Sequence, residues 1–114
     1  MVWEFFSDKE VEGLAPMLVA SLDKARKICG FPFKITSGFR PPAHNAEIGG
    51  VIDSSHTKGL AADLARPQGD EPLFKMIWAL GLAGFKRIEI ASRHIHVDVD
   101  PGKPQYVMWF GESK

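Results

Sequence analysis

A chain of 114 residues has room for one hydrophobic core, and so for one domain over 1–114. Its hydrophobic share of 45% and charged share of 25% are ordinary for a water-soluble globular protein. A formal net charge of zero leaves no basic surplus for nucleic acid or an anionic membrane, and no apolar run approaches the ~20 residues of a membrane span. The first residues, Met1 to Asp8, lack a basic segment followed by an apolar one, so no secretory signal is expected. The protein is expected to be made in the cytoplasm and to act as a monomer. Cys29 is the only cysteine, which excludes an internal disulfide and any thiolate metal site. A metal here must rest on His, Asp or Glu.

In chain order, Ser7-Asp8-Lys9-Glu10 has the form of a capping box and predicts a helical turn or two, interrupted by Gly13 and Pro16. Pro16 suits the first position of a second helix. Leu18, Leu22, Ala25 and Ile28–Cys29 then recur at helical spacing, and Lys24, Arg26 and Lys27 suit the negative end of the helix dipole. With Gly30 as a left-handed cap, the helix spans about 16–29. Phe33 to Ser37 alternates and predicts a strand. Arg40-Pro41-Pro42 ends it. Residues 43–48 have the makings of a short helix, stopped by Gly49-Gly50.

Residues from about 59 to 64 are small or apolar and predict a buried strand. Asp70-Glu71-Pro72 is a helix start, with acid groups at the positive end of the dipole. That helix is expected to run to about Leu80, its apolar face carried by Leu73, Phe74, Ile77, Trp78, Leu80 and Leu82. Strands are predicted over 86–90 and 94–99, joined by a tight turn and therefore antiparallel. An edge strand follows over 106–110. The expected fold class is α+β: a small, largely antiparallel sheet with helices packed against it.

Two polar stretches stand out, Ser54 to Leu64 and His94 to Asp100. On a strand, period two puts His94, His96 and Asp98 on one face and Ile95, Val97 and Val99 on the other. A polar strand face is ordinarily just the solvent face, so the pair of histidines alone says little. Asp63 sits among Leu60, Ala62 and Leu64, where a carboxylate is costly unless it is paired or bound to a metal. It either accepts backbone hydrogen bonds, pairs with Arg66, or binds a cation. If the two stretches meet in space, His56, Asp63 and one of the later histidines form a two-histidine, one-carboxylate set. With an open fourth position, such a set is what catalytic zinc uses. The other reading is two unrelated polar loops.

Ser37-Gly38-Phe39-Arg40, then Ser55-x-His56-x-x-Gly59-x-Ala61-x-Asp63-Leu64, then His94-x-His96-x-Asp98 resembles the zinc D-alanyl-D-alanine carboxypeptidase family of peptidoglycan peptidases, which includes phage endolysins. The resemblance runs from about Phe33 to Val99 with its motifs in order. The wider superfamily joins lysostaphin-type peptidases and hedgehog signalling domains, and the compact form is similar to small single-domain proteins encoded by phages and prophages.

The resemblance implies a hedgehog/DD-peptidase-like fold and one zinc ion per chain on His56, Asp63 and His96. It implies that His94 assists catalysis without binding metal, and that Arg40 binds a substrate carboxylate or an oxyanion. A guanidinium suits either. Ser55 and Asp98 match as residues supporting the ligands from behind. Some branches place a carboxylate base three residues before the last ligand; here that position is Arg93, which leaves the base role to His94 or to Glu89, with His94 favoured. His44 is read as structural. Trp3, Trp78 and Trp109 are read as core or interface residues, one of which could stack on a peptide stem. The implied substrate is a peptidoglycan stem peptide, cut as a D-Ala-D-Ala carboxypeptidase or as an L-Ala-D-Glu or cross-link endopeptidase. The wall would be reached through lysis or another export route. The alternatives are an inactive zinc-binding module and a phage tail-associated structural protein.

Overall fold

In the computed structural model, which describes residues 2–50 and 53–111, helix α1 spans Pro16–Cys29. Pro16 opens it, Arg26 and Lys27 close it, and Gly30 caps it in the left-handed region (φ 87°) with its N–H on the Arg26 carbonyl. Strand β1 is Ile35–Ser37, helix α2 Pro42–Glu47, and a single 3-10 turn covers Ser55–Lys58. Strand β2 (Ala61–Ala65), helix α3 (Asp70–Leu82) and strands β3 (Arg87–Ile90), β4 (His94–Asp98) and β5 (Val107–Phe110) complete the order. The sheet runs β1-β2-β4-β3-β5. Every pairing is antiparallel except β3 with β5, which is parallel. The α+β class and the largely antiparallel sheet are therefore as expected. No helix among the described residues is long and apolar enough to cross a membrane.

One face of the sheet carries the core. Leu64, Ile88, Ile90, Ile95 and Val97 join Leu18, Val19 and Leu22 of α1 and Met76, Ala79 and Leu80 of α3 in one apolar cluster. The opposite face carries a row of side chains set by cross-strand register: Ser37 opposite Asp63, Asp63 opposite His96, His96 opposite Glu89, and Glu89 opposite Trp109. Period two explains both faces at once, because residues that alternate along a strand alternate across the sheet.

Three expectations need correction. The capping box forms, with Ser7 and Glu10 exchanging backbone-to-side-chain hydrogen bonds, but hydrogen-bonded turns follow it rather than a helix. Gly13, at φ 79°, ends that segment before a helix can propagate. Gly59 and Leu60 do not belong to β2; Gly59 caps the 3-10 turn at φ 71°. Finally, α3 buries Met76, Ala79 and Leu80, with Leu73 and Ile77 partly covered, while Phe74, Trp78 and Leu82 are exposed. Positions 74, 78 and 82 form a stripe of their own at helical spacing, on the side away from the core. We expect Leu22→Ala to lower unfolding free energy by about 2–5 kcal/mol, and Phe74→Ala by less than about 0.5 kcal/mol, in urea titrations.

Candidate metal centre

His56 is presented by the 3-10 turn. Ser54 Oγ accepts the His56 backbone N–H at 3.2 Å, and Thr57 Oγ1 donates to the Ser54 carbonyl at 2.7 Å. Gly59 closes the turn, and its carbonyl accepts the Ala15 N–H at 2.8 Å. A Cβ at Gly59 would overlap the Gly13 carbonyl, so this position needs glycine for contact as well as for its positive φ. The Arg40 N–H binds the His56 carbonyl at 3.1 Å, which clasps the Gly38-Phe39-Arg40 segment to the turn. The imidazole of His56 is buried, and its Nδ1 lies 2.8 Å from the Gly38 carbonyl. A carbonyl oxygen only accepts, so Nδ1 carries a proton, and Nε2 is the nitrogen turned toward Asp63.

That Nε2 lies 3.3 Å from Asp63 Oδ1, and the same oxygen lies 2.9 Å from His96 Nδ1. Asp63 comes from β2, between Ala62 and Leu64, both fully buried. His96 comes from the neighbouring β4, and its second nitrogen, Nε2, meets Asp98 Oδ2 at 2.8 Å. One ligand-capable atom from each of His56, Asp63 and His96 lies within 4.8 Å of the others.

The charges reinforce one another. Burial pushes the Asp63 carboxyl up, but hydrogen bonds from His56 and His96 outweigh it and hold the group well below the usual carboxylate range. Burial pushes His96 down, but Asp63 and Asp98 on either side carry its pKa up to about 9. Asp98 is depressed despite burial, by His96, the Asp100 N–H and Arg87. Asp100 is likewise held to about 2, where Ser55, the Gly102 N–H and Lys58 overcome burial.

His56, Asp63 and His96 line a cleft of about 920 Å³, which also holds Arg40, Ser55, Glu89, His94, Asp98 and Trp109. All eight residues singled out in the sequence therefore reach one cleft. Arg40 Nε is buried with no hydrogen-bond partner. His94 Nε2 is 3.7 Å from Glu89 Oε1, and both side chains are about one-fifth exposed, at 21% and 22%. Gly111 packs directly on the Glu89 carboxylate, which a Cβ there would displace. Ser55 Oγ donates to Asp100 Oδ2 at 2.8 Å and accepts from Lys103 Nζ at 3.0 Å, so it anchors the turn to the segment after β4. The exposed side chain of His44 pairs with Glu47 at 3.9 Å, outside the cleft lining.

Sequence reasoning missed Arg87, Asp100, Lys58 and Lys103. Arg87 Nε donates to Asp98 Oδ1 at 2.7 Å, and Lys58 Nζ binds Asp100 Oδ2 at 3.0 Å. For two of them the signal was the strand period, since Arg87 alternates with Glu89 and Asp100 with Asp98; Lys58 and Lys103 lie on a turn and a loop, where no period marks them. Trp109 lies with its ring centroid 6.1 Å from that of His96, which makes it the tryptophan beside the site.

Residues 5–98 match the family model Peptidase M15. This chain belongs to that family of peptidoglycan metallopeptidases. No curated protein gives a significant match. Among solved structures, the Serratia marcescens L-Ala D-Glu endopeptidase ChiX is similar in fold, with a TM-score of 0.64 at 21% identity over 82% of this chain and 86% of that one.

The donor set suits the metal such a family uses. Two imidazole nitrogens and one carboxylate oxygen are three of the four positions of a tetrahedral site, and bonds of about 2.0–2.1 Å place ligand atoms roughly 3.3 Å apart. The observed 2.9 and 3.3 Å separations are close to that. His56 would bind through Nε2 and His96 through Nδ1, each with its other nitrogen already engaged. In the metal-free protein His96, at about 9, is protonated at neutral pH. A metal must displace that proton, so binding gains as pH rises toward 9. We expect about one proton released per zinc at pH 7, measured by calorimetry in buffers of differing ionisation enthalpy. Zinc affinity should strengthen from pH 6.5 to 8.5, by about tenfold per unit.

Proposed function

We propose that the protein is a zinc-dependent peptidase that hydrolyses a peptide bond in peptidoglycan stem peptides, in the endopeptidase mode. The observation that carries this reading is the convergence of His56, Asp63 and His96 on the floor of an open cleft. The similarity to an L-Ala D-Glu endopeptidase favours cleavage between an L-alanyl residue and D-glutamate over release of a terminal D-alanine. Zinc held by His56, Asp63 and His96 would supply Lewis acidity toward water and the scissile carbonyl near neutral pH.

The remaining work falls to the chain's own side chains. Arg40 offers a guanidinium whose Nε has no internal partner. It receives either a stem carboxylate or the oxygen that gains charge as the carbonyl is attacked. His94 and Glu89 act as a proton-handling pair across 3.7 Å. His94 takes the proton from the attacking water and returns it to the departing amine, and Glu89 stabilises the imidazolium between those events. Trp109 provides an apolar wall against the stem, on the same sheet face as the ligands.

Digestion of purified peptidoglycan with mass analysis of the fragments tests the reading. Free peptides beginning at D-glutamate are expected. Release of D-alanine alone would instead mark a carboxypeptidase, and no release from walls of several types would favour a binding module. His56→Ala should abolish zinc uptake. His94→Ala should retain zinc and fold while losing roughly 10²–10⁴ in kcat.

A further inference from the structure

Arg87 lies outside the ligand set and outside the groups that meet substrate in the proposed reaction, yet it is among the most buried charged residues of the chain, at 8% exposure. Its position on β3 brings it to the same sheet face as Glu89, beside Asp98 on β4. Nε donates to Asp98 Oδ1 at 2.7 Å, and Nη1 donates to the Pro104 carbonyl at 2.6 Å. The guanidinium carbon stands 5.0 Å over the Trp109 ring. One rigid fork therefore meets β4, the segment after it, and β5.

Asp98 divides its oxygens. Oδ1 accepts from Arg87 and from the Asp100 N–H, and Oδ2 meets His96 Nε2 at 2.8 Å. Because Oδ1 is fixed from two sides, Oδ2 is fixed in direction. The ring of His96 cannot turn without breaking that contact, and Nδ1 is thereby aimed at Asp63 Oδ1. Trp109, held under Arg87, flanks the same ring. We propose that Arg87 is a positioning residue of the metal centre, which locks Asp98 and through it sets the ring orientation and tautomer of His96. This rests on the metal-centre reading above. Lysine cannot substitute, since a single ammonium does not span Asp98 and Pro104 with fixed, planar geometry.

Zinc affinity of wild type, Arg87→Lys, Asp98→Asn and the double variant, by competition with a chromophoric chelator, tests this, with circular dichroism as the check on folding. Folded Arg87→Lys should bind zinc roughly 10–100-fold more weakly, with Asp98→Asn showing a loss of similar size. In the double variant the two losses should not multiply, because they interrupt one chain of contacts. A purely structural arginine would lower the melting temperature and leave the affinity of the folded protein unchanged. Folded Arg87→Lys with wild-type affinity, or losses that multiply fully, overturns the proposal. A second measurement needs no variant: the Arg87 Nε–H resonance of the wild-type protein should shift as zinc is added, and a resonance unmoved through saturation overturns the proposal. Wild-type protein that takes up no zinc overturns the metal reading and this proposal with it; zinc-binding wild type with an indifferent Arg87 overturns this proposal alone.

Discussion

The Asp63 carboxylate is the constraint on which the site depends. It stands on a strand whose neighbours, Ala62 and Leu64, are fully buried, and it is itself largely withdrawn from water. An ionised group in such a place must be compensated. Two imidazoles from different parts of the chain supply the compensation, one from a 3-10 turn and one from the adjacent strand. Each imidazole is held by a further acceptor, the Gly38 carbonyl for His56 and Asp98 for His96. The result is an arrangement in which a proton on His96 stands where a cation would serve as well.

The sheet keeps this polar assembly apart from the core. Ile95 and Val97 point toward α1 and α3, while His96 between them points into the cleft. The row Ser37, Asp63, His96, Glu89 and Trp109 crosses all five strands. A slip of one residue in any pairing would move its members to opposite faces, putting carboxylates among leucines. The apolar packing of one face and the chemistry of the other are therefore fixed by the same register.

Much of this is legible in the sequence alone. Helix α1 announced itself through Pro16, its apolar stripe, its basic end and Gly30, all of them local signals. The His94–His96 pair declared its common face through period two. Less legible were features that depend on what lies opposite. Helix α3 is apolar nearly all round, so its pattern did not choose between the Met76–Leu80 side and the Phe74–Trp78–Leu82 side. Arg87 looked like any strand charge until β4 placed Asp98 beside it. The parallel direction of β5 is set by the path of the 100–106 segment, not by its own residues. Gly59 was readable in principle, since a glycine just past a helical turn commonly caps it at positive φ.

The contact of Gly59 with the segment around Gly13 has a consequence for how the site comes into being. Gly13 has no room for a Cβ beneath Phe39, and its carbonyl lies under Gly59, whose own carbonyl takes the Ala15 N–H. The stretch before α1 is thus a wedge between the Arg40 loop and the His56 turn. Ligands and their supports are drawn from positions near 13, 38, 56, 63, 96 and 104, and closing loops of that length costs entropy before any contact returns it. The three donors are therefore supported by contacts spread along most of the chain. Metal retention would accordingly report on the completeness of the fold: a chain that has collapsed without docking its first fifteen residues has the histidines but not the site.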